Sequence, residues 1–181
     1  QGEWRNLVIE KQIFKTPKPQ IPWKQTILYE LHVGHFTKRD ESIPLEERGT
    51  FRGLIRKLAY LKQLGITTIE LLPIFKWYAH TLKNTNPYTG DLLEDVWGYN
   101  PLGYFAVDER YSVEKTSEAS LRELRDLVEA AHEEKMEIVL DVVYNHSGEG
   151  DKEGVAIHFK YLAPDVYYKY DEHNQLLNCT G

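Results

Sequence analysis

Three runs of strand-forming residues, each separated from the next by enough chain for a helix, constrain this sequence of 181 residues more than any other feature. The first, "TILYELHV" (26–33), alternates Ile27, Tyr29, Leu31 and Val33 with Leu28, Glu30 and His32, the period of two of a pleated strand. The second, "ITTIELLPI" (66–74), is apolar, β-branched and ended by Pro73, and the third covers 137–144. Between the first two, Phe51, Leu54, Ile55, Leu58, Leu61 and Leu64 recur at steps of three and four. That stripe predicts a single helix over 50–65 with Gly65 at its C-terminal cap. Before the third, Leu121, Leu124, Leu127, Val128 and Ala131 share a face, predicting a helix over 120–135 opened by a Ser120-to-Glu123 capping box. Strands joined by crossover helices run parallel, so the class is α/β. Three such strands with helices on one side leave a bare face and two bare edges, the mark of an incomplete fold.

A hydrophobic content of 41% suffices for one sizeable core. The formal charge of -6 and pI near 5.7 provide no basic stripe for a polyphosphate, which argues against nucleic acid as a partner. The apolar runs are strand-sized, so neither a membrane span nor a secretory leader is expected. Cys179 has no second cysteine to pair with, which favours a reducing, cytoplasmic setting. The chain opens on Gln1 rather than methionine, as expected of a processed, excised or truncated chain. Residues 1–26 hold one short apolar run, Leu7 to Ile9, followed by "FKTPKPQIPW". Its three prolines predict a semi-rigid linker from an upstream domain.

The polar residues of the strands carry the functional signal. Alternation sets Glu30 and His32 opposite Leu31 and Val33, and Glu70 opposite Ile69 and Leu71. Asp141 shares a face with Val139 and Val143, and we expect it on the side bearing Glu30 and Glu70, away from the helices. Carboxylates facing inward require partners. Asp141 and His146 lie toward the C-terminal end of the third strand, the end at which parallel sheets and barrels place ligand-binding groups. On their own, the aspartate could equally cap the next loop and the histidine be simply hydrogen-bonded.

A long connection from 75 to 116 follows the second strand, and its segment "NPYTGDLLEDVWGYNPLGYF" (86–105) presents Trp97, Tyr99 and Tyr104 among turn residues. Flat aromatic faces beside Asn and Asp suit a sugar ring; the same aromatics could instead staple the loop to the core.

At this level the residues resemble a family. "DVVYNH" (141–146) resembles the third-strand signature of the α-amylase superfamily, "GITTIELLPI" (65–74) its second strand, and "WGYNP" (97–101) a loop motif of its debranching branch. "LYELHV" (28–33), "RGTFRGLIRKLAYLKQLG" (48–65), "NPYTG" (86–90) and "YYKYDEHNQLLNCTG" (167–181) are similar to bacterial glycogen-debranching enzymes and isoamylases. The resemblance implies that residues 27–181 are the N-terminal part of a (β/α)8 TIM barrel, its first three β/α units with a long loop after strand two. It also implies retaining hydrolysis of α-1,6 branch linkages in an α-glucan by a pair of carboxyl groups. Tyr99 would be the stacking platform, with Trp97, Asn100 and Asn145 in the substrate-binding set. His146 would bond a sugar hydroxyl, and Asp141 would orient an arginine of the fourth strand. The nucleophile and general acid are expected on later strands, which makes the missing part of the barrel a partner and the 181 residues inactive alone.

One departure bears on the subfamily. "HVGHFT" (32–37) carries Gly34-His35 where debranching enzymes typically show Arg-Gly, a variant resembling branching and trehalose-releasing relatives. A non-catalytic α-glucan-binding or assembly role is the alternative from another class. A metal hydrolase is disfavoured, because His32 and His35 differ by an odd number and alternation would send them to opposite faces. His132-Glu133 also lacks the second histidine of a zinc helix. No cofactor is expected, with structural calcium in the long loops left open.

Overall fold

The computed structural model describes residues 8–9, 13–79, 84–149, 154, 156–157 and 159–177; Leu7 and Cys179 lie outside them. Strands β1 (Leu28–Leu31), β2 (Thr68–Leu71) and β3 (Glu137–Leu140) form one parallel sheet in the order β1-β2-β3. Each is shorter than its apolar run. Strand β1 stops early because Val33 begins a short helix, α1 (Val33–Phe36), whose first turn is capped when His32 Nδ1 accepts the His35 N–H at 3.1 Å.

Register decides which side chains share a side. Glu30 pairs with Glu70, and Glu70 with Val139. The ladder continues one residue past β3, where the Asp141 N–H donates to Leu71 O at 2.9 Å. Two residues on from Val139, Asp141 therefore lies on the side of Glu30 and Glu70, as the alternation predicts. The opposite side buries Leu31, Ile69 and Leu71. At about 25 cal/mol per Å2, burial of these side chains is the main stabilising term of the sheet.

The first helical stripe does not form one helix. It is divided into α2 (Phe51–Ile55) and α3 (Leu58–Gln63). The break comes where the Arg56 N–H still reaches Arg52 O at 3.3 Å but the Lys57 N–H closes on Leu54 O at 2.9 Å, a tighter turn that ends the α2 ladder. Lys57 is held there by an ion pair to Asp40 at 2.5 Å. Phe51, Leu54, Leu58 and Leu61 nonetheless remain buried.

Helix α4 (Ser117–Glu133) begins earlier than the capping box suggests: Thr116, not Ser120, is the cap, its hydroxyl accepting the Ala119 N–H at 3.2 Å. Ser120 is buried inside the helix, where its hydroxyl donates to Val107 O at 3.2 Å and Ser117 O at 3.0 Å. Glu123 is buried one turn on and accepts the Val113 N–H at 3.1 Å. These two polar groups fasten the returning segment 107–116 to the helix. The same face of α4 buries Ala119, Leu127 and Ala131.

The proline-rich segment is tied to α4 as well. Glu129 accepts the N–H groups of Lys15 and Thr16, and Phe14 lies 6.2 Å from the His132 ring. Among the described residues no helix is long and apolar enough to cross a membrane.

The chain divides into two units, residues 1–74 with 107–141, and 75–106 with 142–181. The sheet and α1 to α4 belong to the first. The second is built of loops, a bridged hairpin and two short helices, α5 (Phe159–Leu162) and α6 (Pro164–Tyr167).

Two predictions follow from the packing. A Cβ on Gly53 would stand 2.4 Å from Glu47 O and 2.8 Å from Thr37 Oγ1, so Gly53→Ala is expected to cost about 1–3 kcal/mol in urea denaturation. Burial pushes the Glu123 carboxyl above its usual value of 4.5, opposed by the Val113 N–H. An acid raised in the folded state makes stability fall as pH rises from the unfolded value through the folded one. Glu123→Gln keeps an acceptor for Val113 and should flatten that fall, giving a variant more stable than wild type at neutral pH.

Candidate functional site

Each unit contributes one set of candidate residues. In the first, Asp141 is partly buried at the end of β3, on the Glu30 and Glu70 side of the sheet. His32 is held by α1: its Nε2 lies 3.3 Å from the Tyr111 hydroxyl, and its ring stacks on His35 at 4.2 Å and 24°. The alternation argument for these two histidines therefore fails, because His35 sits in a helix where parity no longer sets direction. Among the described residues no group of three or more His, Cys, Asp or Glu side chains is arranged to hold a metal ion.

In the second unit, residues 76–78 run beside 100–106. Lys76 N–H donates to Ala106 O at 2.8 Å, Tyr78 N–H to Asn100 O at 3.1 Å, and Leu102 N–H to Lys76 O at 2.8 Å. Trp77 is buried between these contacts, and its indole N–H donates to Asp95 O at 3.0 Å. Asp95 has two further bonds: its N–H donates to Ala79 O at 2.8 Å, and its Oδ1 accepts the Trp97 N–H at 2.9 Å. One residue thus fixes where Trp97 leaves the loop. The sequence reading passed over it, although an Asp two residues before an aromatic is a recurrent turn signal.

Trp97 is 63% exposed, and its ring lies 6.2 Å from that of Tyr99, tilted by 53°. His146 meets the same segment: its Nε2 is 2.6 Å from Tyr99 O, while its Nδ1 is 3.1 Å from Asn145 Nδ2. A carbonyl only accepts, so Nε2 donates its proton to Tyr99 O. The two ring nitrogens of His146 thereby brace Tyr99 and Asn145. The structure brings together Trp97, Tyr99, Asn100, Asn145 and His146, but aims the imidazole at protein atoms rather than at open space.

Tyr104 completes the brace. Its hydroxyl donates to His146 O at 3.0 Å, and its ring stacks on Phe159 at 5.6 Å and meets Tyr144 edge-on at 5.8 Å. Burial first, and the negative charge of Glu149 second, push its hydroxyl above the ordinary value of 10.0. Glu149 is fully buried and was also missed: it accepts the Ile157 N–H at 2.7 Å and the Tyr168 hydroxyl. In the sequence "SGEG" nothing separates it from a solvated carboxylate.

With the geometry established, comparison with known proteins decides the family. The model of the family described as "Alpha amylase, catalytic domain" matches residues 25–163. The chain belongs to this α-amylase family. A glycogen debranching enzyme of Enterobacter sp. strain 638 is 41% identical over 90% of the chain, which covers 24% of that enzyme. The catalytic module of a multi-modular glycogen-degrading pneumococcal virulence factor, solved with an inhibitor, superposes with a TM-score of 0.66 at 29% identity, over 88% of this chain and 23% of that one. A type I pullulanase from Bacillus subtilis str. 168, solved with maltose, gives 0.71 at 25% identity, over 93% and 24%. The chain thus spans about a quarter of the length of the curated relatives it matches. In this α-amylase-family member the parallel β1-β2-β3 sheet constitutes part of a TIM barrel, three of its β/α units.

The donor role of His146 is directly measurable: nitrogen NMR is expected to show a protonated Nε2, and Asn145→Ala should shift the Nδ1 resonance while leaving Nε2 protonated. Tyr104→Phe, which removes the hydroxyl's bonds to His146 O and the Ser147 side chain, should cost about 1–2 kcal/mol in chemical denaturation.

Proposed function

We propose that this chain forms the substrate-holding part of a retaining glycoside hydrolase that cleaves α-1,6 branch linkages of glycogen or a related α-glucan, working within a longer cytoplasmic protein. The observation carrying the proposal is the Nε2 bond from His146 to Tyr99 O, which couples the end of the "DVVYNH" segment to the Trp97 and Tyr99 rings. An aromatic pair held in this way offers a preorganised apolar face to a glucose ring, so less ordering entropy is lost when the sugar binds. The printed names of the relatives, a glycogen debranching enzyme and a pullulanase solved with maltose, support the substrate class.

The reaction requires two carboxyl groups flanking the bond, one as nucleophile and one as acid and then base. The family resemblance assigns those groups to later strands and leaves supporting tasks to the residues present. Tyr99 stacks on the sugar at the cleavage subsite. Asp141, on the carboxylate side of the sheet, anticipates a cationic partner and orients it toward the reacting sugar. His146 acts on substrate through Tyr99 in the braced state; donating to a sugar hydroxyl would require it to release Tyr99 O. No cofactor enters the proposal.

The experiment is incubation of the intact protein with glycogen. Release of linear maltooligosaccharides with retained anomeric configuration is expected, and transfer products or trehalose would instead favour the reading suggested by Gly34-His35. Tyr99→Ala should lower kcat/KM by about tenfold or more, from loss of one ring contact and of positioning. The 181 residues alone should release nothing; detectable branch cleavage by them would overturn this division of labour.

A further inference from the structure

We propose that the hairpin over residues 84–93 is a specificity arm that grips an α-glucan chain away from the cleaved linkage, with Tyr88 as its contact residue; this rests on the glucan reading above. Tyr88 is 95% exposed at the hairpin tip. Water-exposed aromatic area is normally kept small, and here its support is rigid. Asn86 N–H donates to Asp91 O, Gly90 N–H to Asn86 O, and Leu93 N–H to Asn84 O, each at 2.8 Å. Asn86 Oδ1 accepts the Tyr88 N–H at 2.9 Å, and Gly90 closes the turn at φ 75°. The ring is therefore presented at low entropic cost to a ligand.

Composition identifies the kind of ligand. Residues 84–97 include Asp91, Glu94 and Asp95 but no lysine or arginine, so the arm has nothing to attract a phosphate backbone or an anionic lipid surface. Asn84, Asn86, Thr89 and Asp91 surround the ring in sequence with donors and acceptors. An apolar face rimmed by hydrogen-bonding groups is complementary to a pyranose, which carries both in the same arrangement. A structural staple would look different: Trp77, in the same unit, is buried with its indole N–H bonded. Asp95, two residues past the arm, is anchored to Ala79 and Trp77 and orients Trp97.

The test uses the intact protein and its Tyr88→Ala and Tyr88→Phe variants. Mobility is read in native gels with and without glycogen, and kcat and KM on glycogen and on a short, singly branched maltooligosaccharide. Tyr88→Ala is expected to reduce retardation by glycogen and raise KM for glycogen about 3- to 10-fold, with kcat and the short substrate unaffected. Tyr88→Phe should behave as wild type. Unchanged retardation and KM in Tyr88→Ala, equal effects on both substrates, or a change only in sedimentation that marks a contact with a second copy, would each overturn the arm. Wild-type protein that is retarded but cleaves no branches would refute the branch-cleaving function while the gel still judges Tyr88. Wild-type protein that cleaves branches but is not retarded by glycogen would refute the arm alone, and wild-type protein that does neither would refute both.

Discussion

The placement of Asp141 depends on the register of a three-stranded parallel ladder. Because Glu30 pairs with Glu70 and Glu70 with Val139, one side of the sheet collects ionisable groups while Leu31, Ile69 and Leu71 are buried on the other. A slip of one residue in β2 would exchange those sides and bury Glu70. The apolar burial that stabilises the sheet and the placement of Asp141 are therefore a single constraint. The bond from Asp141 N–H to Leu71 O extends that constraint to the last residue before the loop.

How much of this was readable in the sequence varies with how local the deciding force is. The strands were legible because β-branched runs with a period of two leave few alternatives, and the carboxylate side followed from the same period. The family motifs were legible as spelled. The break between α2 and α3 was not, since the stripe from Phe51 to Leu64 is continuous and the interruption is a main-chain closure, Lys57 N–H on Leu54 O, that apolar spacing does not record. The start of α4 was misplaced for a similar reason. Thr116 and Ser120 are both good caps in isolation, and only the burial of Ser120 against Val107 O separates them.

In the candidate site, sequence grouped the right residues but not their bonds. Trp97 and Tyr99 were read as rings that suit a sugar, and Asn145 and His146 followed from the family resemblance, yet which atom the imidazole faces depends on contacts between segments 47 residues apart. Asp95 and Glu149 went unnoticed because their task is to orient main chain, and a carboxylate bonded to backbone N–H groups looks the same in sequence as a solvated one. Both residues convert loops into scaffolding, which is why this second unit keeps a defined shape with little regular secondary structure.

The carboxylate side of the sheet also governs colloidal behaviour. Parallel strands with open edges and an uncovered face ordinarily invite self-association through greasy contacts. Here the side that carries Glu30, Glu70 and Asp141 also carries Leu28 and Val139, and the whole chain has a formal charge of -6. Two copies approaching through that side set like charges against one another, a repulsion that opposes the pairing Leu28 and Val139 would otherwise favour.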